Sequence, residues 1–114
     1  MMNRLATGKL PFVLIAIMMA MVLSSVMRAQ GNGEKLYNAN KCATCHGADG
    51  AANSPTGKAL KARDFHSPEV KAEKDSDLSA VITNGKGKMP AFGKQLKPAE
   101  IAELVAYSRA LGNK

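Results

Sequence analysis

The stretch Cys42-Ala-Thr-Cys45-His46 decides how the rest of this 114-residue chain is read. At 3.6 residues per turn, positions i, i+3 and i+4 fall on one helical face, so two thiols and an imidazole point the same way. Three chemistries use such a set. C-x-x-C followed directly by His is the pattern of covalent haem attachment, in which two thioether links fix the porphyrin's edge while the imidazole meets its iron. The pair Cys42 and Cys45 could instead close as a disulfide or act as a redox couple. Zinc held by Cys42, Cys45, His46 and His66 is the third and poorest, because adjacent Cys45 and His46 would have to bend around one small ion in tetrahedral geometry.

The composition around the motif favours haem. Residues 30–114 carry 13 Lys+Arg against 9 Asp+Glu, a net of +4, and leave room for one small domain. Their Leu, Ile, Val and Phe content is well below the roughly 20% under which disorder becomes the default reading, and there is no Trp. A chain this short buries little surface and often needs a disulfide, metal or other staple. An apolar cofactor that is not written in the sequence would complete the core.

A haem iron held by one histidine has a second axial position. Six of the seven methionines lie in residues 1–29, so Met89 is the only thioether of the domain. It sits in a glycine-flanked segment and precedes Pro90, which removes a backbone donor and stiffens the chain. The bland alternative is a methionine filling a core gap. His66, in a loop before Ser67-Pro68, is the competing ligand, and its ordinary reading is a solvated side chain.

Residues 1–29 have a different character. Arg4 and Lys9 precede an uncharged run from Leu10 to Met27, and no acidic residue occurs. That is the layout of a secretory signal, so the protein is expected to be exported, periplasmic in a bacterium, with Ala29 the last residue of the leader. Met27 is not the small residue that a clean cleavage site wants. Eighteen uncharged residues also reach the lower edge of a membrane-spanning helix, and an uncleaved anchor would leave the domain outside the cytoplasm. The expected organisation is a signal peptide over 1–29 and one domain over 30–114.

Within the domain the patterns are helical and no strand is expected. A short helix is read from Gly33 to Lys41, followed directly by the cysteine motif. Residues 47–67, punctuated by Gly47, Gly50, Pro55 and Gly57, read as a long loop with at most one helical turn. Ser76 can cap a helix through Leu78, Val81 and Ile82, which Gly85 would end. After an irregular segment around Met89, a last helix begins with Pro98 in its first turn and shows an apolar stripe of Ile101, Leu104, Val105 and Leu111.

With these residues in place the chain resembles a monohaem class I c-type cytochrome of the small bacterial kind. The likeness covers residues 31–114, with the cysteine motif near the domain's start and Met89-Pro90 in the later loop. It implies an all-α fold of three to four short helices wrapped around one covalently bound haem c, its iron held by His46 and Met89. In similar proteins the first and last helices cross through a glycine and an aromatic four residues later, meeting a leucine and an aromatic three residues apart. Gly33, Tyr37, Leu104 and Tyr107 fit that pattern. The resemblance also implies that the other ring nitrogen of His46 donates to a backbone carbonyl in the following loop, with Pro55 the candidate acceptor.

If both axial positions are filled, nothing exchangeable reaches the iron, and the expected role is a one-electron carrier rather than an enzyme. Lys41, Lys58, Lys86, Lys88, Lys94 and Lys97 flank segments expected near the haem and would steer the protein, as a monomer, to redox partners with acidic surfaces. The same lysines would serve solubility alone equally well. Nucleic-acid binding is not expected, since the charge is modest and no aromatic-basic interleaving occurs. The alternatives are a haem subunit of a larger dehydrogenase or oxidase complex and, if Met89 were not a ligand, a ligand-binding haem protein.

Overall fold

The structure, a computed structural model, describes residues 10–114, with side chains described for residues 11–24 and 31–114. Among the described residues it is all helical: α1 (Leu10–Ala39), α2 (Cys42–His46), α3 (Pro55–Ala59), α4 (Pro68–Ala72), α5 (Asp75–Asn84) and α6 (Pro98–Gly112). Arg4 and Lys9 lie outside the described residues, and the cleavage position falls where side chains are not described. Among the described residues no helix is long and apolar enough to cross a membrane.

The first domain helix does not begin at Gly33. It is the C-terminal part of α1, which continues through Gly31 and Gly33 without a break. Helix α1 ends at Ala39, not Lys41. Asn40 donates from its backbone N–H (3.0 Å) and from its side chain (2.8 Å) to the Leu36 carbonyl. Lys41 then adopts a left-handed conformation (φ 60°) that turns the chain into α2.

Helices α1 and α6 cross as the resemblance implied. A Cβ on Gly33 would lie 2.7 Å from the Glu103 carbonyl oxygen, so the two backbones touch at that point. Tyr37 is almost fully buried and packs edge-on against Tyr107, with ring centroids 5.2 Å apart. Leu104 and Leu111 join Tyr37 in the buried cluster. Near the Gly33 crossing the Asn32 side-chain amide donates to the Glu103 carboxylate.

The remaining helices are short and terminate for local reasons. Ser54 caps α3 by accepting from the Gly57 N–H at 3.0 Å, with Pro55 in the first turn. Ser67 and Pro68 start α4 in the same way, a helix that the sequence reading does not anticipate. Helix α5 begins at Asp75 rather than at a Ser76 cap, because Ser76 already lies inside its first turn. Gly85 ends α5 with positive φ, as expected, although its ψ of 167° carries the chain into an extended turn. Helix α6 opens at Pro98, where the Glu100 carboxylate accepts from the Lys97 N–H at 2.9 Å.

Candidate functional site

Helices α2 and α6, the segment after α3, and the loop after α5 surround one cavity of about 850 Å3. That lies within the range of about 300–1,000 Å3 typical of cofactor and ligand sites. Cys42, Cys45, His46 and Met89 all line it, so the structure brings together the four side chains singled out in the sequence. Leu78, Val81, Ile82, Phe92, Leu104 and Val105 supply much of its apolar wall. His66 does not line the cavity. Its Nδ1 lies 2.8 Å from Oδ1 of Asp64, and the Asp64 carboxylate also accepts from the His66 N–H at 2.8 Å.

The cysteines sit on the single turn of α2, as the spacing requires. Both are free thiols, so they form no disulfide with one another. Burial pushes the Cys42 thiol above its ordinary value, with a smaller contribution from Cys45, so Cys42 sits as a neutral thiol rather than as an activated redox thiolate. The zinc reading is not supported. Among the described residues no three His, Cys, Asp or Glu side chains converge to hold a metal ion, and His66 is turned onto Asp64.

His46 is held from two sides. Its Nδ1 lies 3.0 Å from the carbonyl oxygen of Arg63, which makes Nδ1 the protonated nitrogen and leaves Nε2 for ligation. Its ring stacks on Phe65, with centroids 4.7 Å apart and planes 24° from parallel. Burial lowers the His46 pKa below the ordinary imidazole value, partly offset by the bond to Arg63, so the ring is neutral, the form that binds a metal. Pro55 is not the acceptor for His46. It opens α3, whose turn commits its backbone to the helix, and the chain brings the Arg63 carbonyl to the histidine instead.

Two packing features hold this arrangement in place. The Tyr37 hydroxyl donates to the Gly47 carbonyl at 2.7 Å, tying α1 to the residue directly after the motif. Burial raises the Tyr37 pKa far above the ordinary phenol range, which keeps that hydroxyl a donor. Gly57 lies against α2 so closely that a Cβ would fall 2.1 Å from the Cys45 carbonyl oxygen. Across the cavity, Met89 sits in a tight turn in which Lys86 and Met89 exchange backbone hydrogen bonds of 3.0 and 3.1 Å.

The donor set fits a covalently attached haem. Two thiols stand on one helical turn, a neutral imidazole has its tautomer fixed, a thioether lines the same cavity, and the wall is mainly apolar. Sequence reasoning missed Arg63, Phe65 and Leu60. A backbone carbonyl has no residue-type signature, so Arg63 gave no signal. Phe65 and the exposed, cavity-lining Leu60 are apolar residues in a loop that could have been marked as walls of a site.

Residues 28–107 match the family model described as cytochrome c oxidase, cbb3-type, subunit III. The chain is similar to cytochrome c6 of Gloeothece citriformis, 37% identical over 81 residues covering 68% of this chain and 66% of that protein. It is 42% identical to cytochrome c6 of Anabaena variabilis over 76 residues, 67% of this chain and 84% of that protein. It is also 34% identical over 85 residues to the cbb3-type cytochrome c oxidase subunit FixP of Azorhizobium caulinodans, of which those residues cover 28%.

Proposed function

Because the chain belongs to the cytochrome c family, as a monohaem class I c-type cytochrome, we propose that it carries single electrons between redox proteins outside the cytoplasm. The observation that carries this reading is the single cavity lined by both the cysteine motif and Met89. When bound, haem c supplies a one-electron iron couple.

Cys42 and Cys45 would hold the macrocycle by thioether links, and His46 would ligate through Nε2 while the Arg63 carbonyl fixes its ring. Met89 would supply the second protein ligand, its thioether, from a turn closed by its backbone bonds to Lys86. With both positions filled the protein performs no bond chemistry. Residues 1–29 act as the export signal, and 30–114 form the carrier domain, a monomer.

Docking runs through the cationic rim. Lys41, Lys86 and Lys88 are exposed and border the cavity; Lys58, Lys94 and Lys97 are exposed but lie beyond its lining. Lys86 and Lys88, on the turn that carries Met89, support encounter with acidic redox partners at that edge.

The test is to mature the chain with a haem-attachment system. Acid-acetone should leave the haem on the protein, and the reduced form should resist carbon monoxide. Extracted haem would overturn the covalent attachment, and tight carbon monoxide binding would overturn the closed-carrier reading. A second reading, a haem subunit of a cbb3-type oxidase, is favoured by the matching family model and the FixP relative. Stable co-purification with oxidase subunits would select it.

A further inference from the structure

The segment from Arg63 to Glu73 does more than connect α3 to α5. Its start supplies the carbonyl that receives the Nδ1 proton of His46, and Phe65, two residues on, supplies the ring stacked on His46. Its two ends are joined, because the Arg63 guanidinium pairs with the Glu73 carboxylate. Whatever fixes Glu73 therefore also restrains Arg63.

That anchor is Arg109, in the last turn of α6. Its guanidinium donates to the carbonyls of Val70 (3.1 Å), Lys71 (3.3 Å) and Glu73, which cluster where α4 ends, and to the Asp75 carboxylate at 2.9 Å. A planar fork with five N–H donors can serve these acceptors together, whereas an ammonium on a flexible stem cannot hold all of them. The contact is reinforced three residues later. Gly112 approaches Phe65 so closely that a Cβ would fall 2.4 Å from the Phe65 carbonyl oxygen.

We propose that Arg109 is a positioning residue for the axial histidine: it holds Glu73, Glu73 holds Arg63, and the Arg63 carbonyl sets the orientation and electron donation of His46. The inference rests on His46 being an iron ligand. A firm Nδ1–H···O=C bond makes the imidazole a stronger donor and favours ferric iron. Loosening Arg109 therefore weakens that bond and raises the midpoint potential.

The experiment uses haem-loaded wild type, Arg109→Gln, Arg109→Lys and Glu73→Gln. Midpoint potentials are read by spectroelectrochemistry, and exchange of the His46 Nδ1 proton by NMR of the reduced protein. Arg109→Gln should keep its haem and speed exchange of that proton by about tenfold; because Arg109 also lines the cavity and its charge acts on the iron directly, the potential is read in the charge-preserving variant. Arg109→Lys, which keeps the charge but not the planar fork, should show exchange between Arg109→Gln and wild type and a potential shifted upward. Glu73→Gln weakens the Arg63 link yet keeps the backbone carbonyl that Arg109 grips, so it should speed the same proton exchange even if Arg109→Gln fails to fold. Variants that lose thermal stability while both readouts stay at wild-type values would make Arg109 a structural staple only and overturn the proposal. If the wild type itself shows no ligated imidazole signal, the ligand reading has failed, and that result is distinct from unmoved variants.

Discussion

Gly33 and Tyr107 touch where α1 crosses α6: a Cβ added to Gly33 would fall 2.7 Å from the Cβ of Tyr107. In an open helix interior, replacing Gly by Ala would gain about 1 kcal/mol of helix propensity. Here the methyl group meets a side-chain stem and a backbone carbonyl, neither of which can rotate away, and overpacking of this kind costs about 1–3 kcal/mol. Gly33→Ala should therefore be a net loss of up to about 2 kcal/mol, seen as a lower urea midpoint at unchanged m. A midpoint at or above wild type would mean that the crossing has slack.

The legible parts were those that depend on spacing along one helix. The cysteine motif stands on one helical turn as its spacing requires, and the quartet Gly33, Tyr37, Leu104 and Tyr107, which the family resemblance implied, forms the crossing of α1 and α6. Pro55 was the wrong acceptor because the partner of His46 is a main-chain oxygen, and main-chain oxygens are set by the path of the loop rather than by residue type. Helix α4 went unread although Ser67-Pro68-Glu69 carries a cap, a first-turn proline and an acidic residue suited to the helix dipole. The loop reads as ending at Ser67, and residues 68–74 receive no element, because a five-residue helix carries too little apolar periodicity to be read. The role of Arg109 was not legible, because its four acceptors come together only once the chain has folded back.

Removing the haem should unfold the domain. The fully buried side chains centre on Tyr37, Val70, Ile101, Leu104, Val105 and Leu111, while Leu78, Val81, Ile82 and Phe92 are only half-buried by the protein and face the cavity. Their burial would be completed by the macrocycle, and without it the remaining core is too small to offset the ordering entropy of the chain. A Cys42→Ala/Cys45→Ala double variant produced without haem should show a largely unfolded circular dichroism spectrum and no cooperative melt. A sharp melt would show that the protein's own core suffices.

Acid should destabilise the fold through His46. Burial already lowers its pKa below the ordinary imidazole value of 6.5, and in the haem-loaded protein Nε2 would be held by the iron, so the unfolded chain takes up a proton that the folded chain refuses. Stability from this group is full above about pH 6.5 and is lost as pH falls through that value toward the lower folded-state one. Asp64 acts in a separate window. Hydrogen bonds from His66 lower its pKa below 3.8, so its contribution persists above that value and fades only in stronger acid. Thermal unfolding of the haem-loaded protein followed from about pH 8 to 5 should show a falling Tm. A flat profile would mean that His46 is not the group that limits acid stability.

The exposed lysines at the cavity rim make the salt dependence of electron transfer a test of docking. If Lys86 and Lys88 guide encounter, transfer to an acidic redox partner should slow as ionic strength rises and the Debye length falls below roughly 10 Å. The Lys86→Gln/Lys88→Gln variant should flatten that slope without changing the optical spectrum. An unchanged slope would assign both lysines to solubility.

Met89 carries the sharpest expectation, because one sulfur distinguishes a closed carrier from an open haem protein. Its position is built by the backbone: the reciprocal bonds with Lys86 close the turn, and Gly85 lies against it so tightly that a Cβ would fall 2.7 Å from the Met89 carbonyl oxygen. A change of side chain at 89 should therefore leave the turn in place and alter only the ligand. Met89→His should keep the iron six-coordinate and lower its potential, since imidazole favours ferric iron more than thioether does. Met89→Ala should admit water or added ligands. His66→Ala should be spectrally silent, because His66 is paired with Asp64 and does not line the cavity. The ferric protein at neutral pH should show the weak red band of sulfur ligation and lose it in Met89→Ala. A wild type without that band, or a His66→Ala variant that changes it, would take Met89 off the iron and return the protein to the class of ligand-binding haem proteins.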